Sequence, residues 1–274
     1  MDAATRQARL HLPLTEKIAL SKALLAQAMD RFGDGLRLAW TGGKDSTLLL
    51  WLTRQICQDQ GRPMPRVLTI EEGDPFPEIT TFLERLTQEW SLAVEVAANR
   101  DVLDRRPTLG AYLAVADLAP ESRAELARLG FTGPGFPFDP DSPIGAQLLK
   151  VAPLAAFLRD HAVTALATGI RWDEHPARAN ETPFSPRQDP SHTRVHPLLH
   201  LHERDIWEIT RGQGIPFCPL YAVGYRSLGT RSGTLRQSTL PAWEQDLEDG
   251  RGERAGREQD KETAMAQLRA LGYM

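Results

Sequence analysis

Leu36-Arg37-Leu38-Ala39-Trp40-Thr41-Gly42-Gly43-Lys44-Asp45-Ser46-Thr47, followed by Leu48-Leu49-Leu50-Trp51-Leu52, is the stretch around which the chain is organised. The mostly apolar run from Leu36 to Trp40 predicts a buried strand, and the residues after Asp45 predict a helix. Between them lies a short turn with paired glycines, a lysine and hydroxyls. Glycines let a backbone turn sharply and approach a ligand closely. The free N–H groups at a helix start point at an anion, and the helix dipole favours negative charge there. Lys44 adds a mobile cation, and Ser46 and Thr47 add donors. The turn therefore has the chemistry of a phosphate site. An ordinary strand-to-helix turn, capped by Asp45 or Ser46, is the plainer alternative.

A Walker A loop needs a glycine five residues before its Gly-Lys pair, where this chain has Leu38. The order Thr-Gly-Gly-Lys-Asp-Ser instead resembles the PP-loop, S-G-G-x-D-S, of ATP pyrophosphatases, which cut ATP between its α- and β-phosphates. Thr41 in place of the serine keeps the hydroxyl.

On either side of this stretch, residues 13–32 carry apolar side chains at helical spacing, with Thr15 as a candidate cap and Gly33 and Gly35 as the stop. Arg66 to Ile70 predicts a second buried strand, Ile79 to Trp90 a helix and Leu92 to Val96 a third strand. Alternation of strand and helix predicts a parallel sheet with helices on both faces. Ligands of such sheets sit beyond the carboxyl ends of the strands, where both Thr41–Thr47 and the acidic loop at Glu71-Glu72 fall. Asp101 to Leu129 reads as irregular helix. Gly130 to Pro143, rich in Gly, Pro and Phe, reads as a lid over the site or a plain surface loop. Val151 to Asp160 predicts a helix, and Val163 to Thr168 another strand.

Gly169-Ile170-Arg171-Trp172-Asp173-Glu174-His175-Pro176-Ala177-Arg178-Ala179-Asn180 follows that strand. Phosphates and sulfates take planar bidentate donors, which arginine supplies. The carboxylates are placed to brace the guanidinium groups or to bind Mg²⁺; a solvated charged loop is the alternative. His192, His196, His200 and His202 cluster just beyond, but their spacing fits no zinc pattern, so packed or surface histidines are expected. Glu203 to Ile209 predicts an amphipathic helix. Gly214 to Tyr221 and Gly224 to Thr230 form an apolar and then a polar turn, with Arg226 and Ser227 as candidate anion donors. After Trp243 the composition becomes polar and charged, which predicts a mobile tail ending in a short helix, Thr263 to Leu271.

Composition limits the function classes. The chain has 274 residues, 41% hydrophobic, with formal net charge −4 and a pI near 6.0. That supports one large core or two modest ones. There is no basic excess to suggest nucleic acid as a partner. The first residues lack the apolar segment of a signal peptide, and no run approaches the roughly 20 apolar residues that span a bilayer. A cytoplasmic protein is expected. The two cysteines, Cys57 and Cys218, read as core thiols rather than a disulfide.

From about Leu36 to Thr234 these segments resemble the phosphoadenylylsulfate (PAPS) reductase family and its sister, the small subunit of bacterial sulfate adenylyltransferase. The PP-loop matches at Thr41 to Ser46. The D-T-G-x-x-F-P-E-T segment appears as Glu71 to Ile79. The T-G-x-R-x-x-x-x-x-S-R-A segment appears from Thr168 to Ala179, with Ala177 for the serine. The P-L-x-x-W-x-x-x-D-I-W stretch appears as Pro197 to Trp207, with Leu201 for the first tryptophan. The I-P-x-x-P-L-Y and G-Y-x-S-I-G segments appear as Ile215 to Tyr221 and Gly224 to Gly229. Cys218 to Gly229 also resembles the flavin-adenine dinucleotide synthetases of the same superfamily.

The departures bear on the chemistry. The family's reductases carry a nucleophilic cysteine in a tail motif, and some bind an iron–sulfur cluster through cysteine pairs. Neither set of cysteines stands at the matching positions, so reduction and an iron–sulfur cluster are not expected. The stretch from Arg254 to Met274 resembles the end of the adenylyltransferase subunit, although the insertion that normally precedes that subunit's final segment is missing.

The resemblance implies a Rossmann-like (HUP-type) α/β fold: a nucleotide domain over residues 1–229, with a flexible tail over 230–274. It implies ATP and Mg²⁺ as ligands, held by Thr41, Gly42, Gly43, Lys44, Asp45, Ser46, Thr47, Gly169, Arg171, Arg178, Arg226 and Ser227. The backbone at Ile70 and Glu71 would flank adenine. Lys44, Arg171 and Asp173 carry the catalytic expectation, with Asp173 on Mg²⁺ or bracing an arginine. The implied reaction is transfer of AMP to a small acceptor, sulfate first. Adenylylation of FMN and a non-catalytic nucleotide-binding module are the alternatives. A GTPase-type large subunit is the implied partner, and a homo-oligomer is left open.

Overall fold

A computed structural model describes residues 2–247 and Glu253. The expected terminal helix, and all of the expected tail beyond 247 other than Glu253, lie outside the described residues. Among those described, no helix is long and apolar enough to cross a membrane.

The central strand β1, Leu36–Ala39, is buried from Leu36 to Leu38 and half-buried at Ala39, close to what its apolar run predicts. It leads into α3, Lys44–Gln60, which ends on Gly61 in the left-handed conformation (φ +62°). β2 (Arg66–Glu71), α4 (Pro77–Glu89) and β3 (Val94–Ala98) follow. Pro77 takes the first helical position, where a missing N–H costs nothing. β6, Ala165–Ala167, lies on the other side of β1. The sheet order is β3-β2-β1-β6-β8-β7, parallel except for β7 (Phe184–Gln188), which runs antiparallel to β8 (Ser191–Val195). The sheet is thus mixed and mostly parallel. The β7–β8 hairpin falls where the sequence predicted no strand. The chain runs outward from β1 through β2 to β3 on one side, then returns to place β6 on the other side of β1. This is a topological switch point, and ligands of such sheets bind in the crevice outside it.

Helices cover both faces. α2 (Leu14–Phe32), α3, α4 and α9 (Glu203–Gly212) bury one face in a core that includes Leu25, Leu38, Leu49, Phe82 and Ile206. Lys17 of α2 pairs with Asp205 of α9 at 2.6 Å. α8, Ala152–Asp160, covers the other face through Phe157 and Leu158. Thr15 lies inside α2 and does not cap it, since Pro13 is the boundary residue. α1, Ala3–Leu10, precedes α2 and is capped by Asp2.

The middle of the chain departs most from the sequence reading. It contains α5 (Arg100–Leu103), β4 (Tyr112–Ala114), α6 (Pro120–Arg128) and β5 (Gly135–Pro137). β5, from the Gly/Pro-rich stretch, pairs antiparallel with β4 over a separate small core, with α6 in the connection between them. The following helix begins at α7, Pro143–Ala146, earlier than its pattern suggested, and runs through a π-turn, Gln147–Val151, into α8. Pro153 explains the π-turn. Proline lacks an N–H and clashes with the carbonyl four residues back, and a widened turn relieves both.

Residues 230–247 pack onto the body. Ala242 is fully buried, Trp243 meets Trp207 and Phe217 edge-on, and Thr230 donates to Asp141.

Candidate functional site

The turn after β1 is braced from within. Trp40 is buried and donates through Nε1 to Thr47 Oγ1 at 3.2 Å. Gly42 has φ +75°, and a Cβ there would sit 3.0 Å from Ile79. Gly43 is the cap residue of α3, so neither Asp45 nor Ser46 caps it. Ser46 Oγ donates to the Gly43 carbonyl at 3.0 Å and lies 3.3 Å from both the N–H and the hydroxyl of Thr41. These hydroxyls shape the turn. Lys44 N–H donates to the phenol oxygen of the buried Tyr221 at 3.0 Å. One of the amides expected to cradle phosphate is therefore already engaged.

Beyond the carboxyl ends of β1 and β6, three buried cations meet four carboxylates. Lys44 Nζ lies 2.5 Å from Glu253, 3.6 Å from Glu203 and 3.6 Å from Asp45, and donates to the Arg226 carbonyl at 3.1 Å. Arg171 has no exposed surface. It binds Asp173 through Nε at 2.9 Å and extends its other two nitrogens to Asp45 and Glu253. Arg226 grips Glu203 at 2.9 and 3.0 Å and donates to the Leu247 carbonyl at 3.0 Å. Asp173 Oδ2 accepts from the Glu203 N–H at the start of α9, at 2.8 Å.

Burial of so many charges is a poor source of stability, because desolvation offsets their attraction. Their concentration at the switch point of the sheet makes this cluster the candidate functional site. Burial alone would push the Glu253 carboxyl up, but Arg171 and Lys44 outweigh it and hold it well below the usual range. Glu203 goes the other way: burial and the negative charge of Glu253 raise it, against Lys44 and Arg226. Its Oε1 is buried and makes no hydrogen bond among the described residues. Burial would lower the Lys44 ammonium, yet Glu253 and Glu203 keep it raised. A cavity of about 380 Å³ opens beside the cluster, lined by Asp173, His202, Glu203, Arg226, Leu247 and Glu253 among others.

The structure brings together most of the residues singled out from sequence. Gly169 packs directly on the start of α3, where an added Cβ would meet the Asp45 carbonyl carbon at 2.8 Å. Asp173 braces Arg171, as one of its two expected roles requires. Ser227 is buried next to Arg226. Ile70 and Glu71 lie at the end of β2, in register with Ala97 and Ala98 of β3. The Glu71 carboxylate pairs with Arg100 at 3.0 Å, and Glu72 with Lys150 at 2.7 Å, so both acids have partner cations. Arg178 is held by Glu174, four residues back. Tyr221, Glu203 and Glu253 escaped the sequence reading. Tyr221 had a signal in the motif around it, whereas Glu203 looked like an ordinary acid in a helix's first turn.

His192, His196 and His200 are packed in the interior, whereas the His202 side chain is half-exposed. His196 Nδ1 lies 2.8 Å from Thr168 Oγ1, and His200 Nε2 lies 2.9 Å from the Lys17 carbonyl. Burial lowers the pKa of His192, His196 and His200. No group of three or more His, Cys, Asp or Glu among the described residues could hold a metal ion. Cys57 and Cys218 are free and buried, and burial pushes the Cys218 thiol up to about 11.

The sequence profile of the phosphoadenosine phosphosulfate reductase domain matches residues 35–111 and 144–236. Sulfate adenylyltransferase subunit 2 of Maricaulis maris is 27% identical over 216 residues, which cover 70% of this chain and 62% of the relative. Adenosine 5'-phosphosulfate reductase 1 of Bacillus subtilis is 27% identical over 229 residues, covering 84% of each chain. Among solved structures, the FMN adenylyltransferase of Candida glabrata, crystallised with FMN and the ATP analogue AMPCPP, superposes with a TM-score of 0.59 at 19% identity. The match covers 84% of this chain and 71% of that one.

Proposed function

The chain is a member of the phosphoadenosine phosphosulfate reductase domain family, and from that premise we propose that it binds ATP–Mg²⁺ and transfers AMP to a small acceptor. One observation carries the reading. Lys44, from the glycine turn after β1, and Arg171, from the loop after β6, converge on a single carboxylate at the switch point of the sheet. Two buried cations that share one anion beside a glycine turn make a site for phosphate.

In this reading Lys44 and the unengaged amides at the start of α3 hold the β- and γ-phosphates. Arg171, fixed by Asp45 and Asp173, faces the α-phosphate. An acceptor oxygen attacks the α-phosphorus, the bond to the bridging oxygen breaks, and pyrophosphate leaves with the electron pair. An oxyanion acceptor is already charged and needs no base. Catalysis is then positioning plus stabilisation of charge on the phosphate oxygens. Mg²⁺ would neutralise those oxygens, and Glu203 Oε1 and Asp173 fit it, since Mg²⁺ on a nucleotide takes one or two carboxylates and keeps waters.

Sulfate is the first acceptor, on the likeness to sulfate adenylyltransferase subunit 2, and a GTPase-type large subunit is the corresponding partner. FMN is the second reading, favoured by the stretch from Cys218 to Gly229 and by the cavity beside Glu203. Reduction of a sulfonucleotide is not proposed: both thiols of this chain are buried in the core, and burial raises the pKa of each.

The test is pyrophosphate release from ATP–Mg²⁺, alone and with sulfate, molybdate or FMN, with Lys44→Ala as control. Release that depends on an acceptor and is lost in the variant is the expected result. ATP binding without release under every condition would favour a non-catalytic nucleotide-binding module. Absence of ATP binding would overturn the reading.

A further inference from the structure

Glu253 comes from the charged stretch beyond residue 247, yet it is among the most enclosed side chains of the site, only 5% exposed. Its Oε1 takes the Lys44 ammonium at 2.5 Å, and its Oε2 takes a guanidinium nitrogen of Arg171. Its backbone carbonyl accepts from Gln237 Nε2 at 3.2 Å. The carboxylate thus occupies the point on which the two cations converge.

A carboxylate and a phosphate oxygen make the same demand on a lysine and an arginine. They cannot both be met here. Lys44 is already shared with Glu203, and a triphosphate placed beside Glu253 would add like charge inside a buried cluster. We propose that Glu253 is a built-in competitor of the nucleotide: its carboxylate closes the phosphate site, and ATP binds by displacing it. The proposal rests on Lys44 and Arg171 being phosphate ligands.

The device differs from an ordinary structural ion pair in its consequence. A structural pair leaves ligand affinity alone when removed, or weakens it by loosening the site. A competitor strengthens affinity when removed, because apparent affinity scales with the fraction of molecules whose site is open. If the site is closed in more than nine molecules of ten, opening it raises ATP affinity by at least about tenfold.

The experiment measures ATP–Mg²⁺ binding by calorimetry to the full chain, to Glu253→Gln, to Glu253→Ala and to Lys44→Ala. Both Glu253 variants are expected to bind at least about tenfold more tightly than the unaltered protein. In the unaltered protein, amide exchange in the peptide containing Glu253 should rise with ATP or inorganic pyrophosphate and stay unchanged with adenosine. Equal or weaker ATP binding by the Glu253 variants, with binding abolished in Lys44→Ala, would overturn this proposal and leave the ATP site standing. Absence of ATP binding in every form would remove both.

Discussion

Tyr221→Phe isolates one hydrogen bond of the phosphate turn. The phenol oxygen accepts the Lys44 N–H at 3.0 Å, and both residues are buried. The variant keeps the ring, which packs edge-on against Trp207 at 5.1 Å between centroids and lies 5.5 Å from Lys44 Nζ. Only the oxygen is lost. The amide is then left without a partner away from water, which costs about 1–3 kcal/mol. In a chain of this size each kcal/mol moves the melting temperature by about 2–4 °C, so a loss of about 2 kcal/mol lowers it by about 4–8 °C. The freed N–H sits at the start of α3, where an anion can use it, so ATP affinity should change by less than about threefold while stability falls. Thermal and urea unfolding read the first effect and calorimetry with ATP–Mg²⁺ the second. An unchanged melting temperature would refute the claim that Tyr221 holds the turn. A collapse of ATP affinity with stability intact would show that the phenol acts on the nucleotide instead.

Other perturbations test neighbouring parts of the account. Arg171→Met should destabilise the protein by about 3–5 kcal/mol in urea unfolding, because Asp45, Asp173 and Glu253 lose a shared buried cation. Gly169→Ala forces a Cβ to within 2.8–3.0 Å of the Asp45 carbonyl and the Ser46 nitrogen. The turn must shift, with a cost of about 1–3 kcal/mol and turnover falling by up to about 100-fold. The buried His196 has a pKa below its ordinary value of 6.5, with burial as the leading cause. The unfolded chain gains a proton there before the folded one does, so the stabilisation is present above about pH 6.5 and declines as pH falls below it, by up to about 1.4 kcal/mol per pH unit for each such histidine. Melting between pH 7.5 and 5.5 should therefore be less steep in pH for His196→Gln than for the unaltered protein; an equal slope would contradict this assignment. Glu203, whose pKa is raised, contributes with the opposite sign.

The parts of the molecule that were legible in the sequence are those specified locally. β1, the glycine turn and α3 follow from an apolar run, paired glycines and helical spacing within a short stretch, and the alternation around them identifies the mostly parallel sheet. The β7–β8 hairpin was hidden because β7 carries Pro186, Arg187 and Gln188, which show no strand alternation; an edge strand tolerates such residues where a central one does not. The β4–β5 pair was hidden because its three-residue strands are too short to show alternation. In the site, Lys44, Arg171 and Asp173 were readable because each lies just after a predicted strand. Glu253 was not. It meets Arg171 across 82 residues of sequence, from a charged run in which each carboxylate looks alike. The sequence could not show which acid the two cations would select.

The most direct test of the central claim follows the α-phosphate. ATP labelled at that position is incubated with the protein, Mg²⁺ and each candidate acceptor, and the products are separated. The account predicts label in AMP or an adenylylated acceptor, equimolar pyrophosphate, and loss of both products in Lys44→Ala. Label appearing in ADP, with release of inorganic phosphate, would place the cleavage at the wrong bond and contradict it.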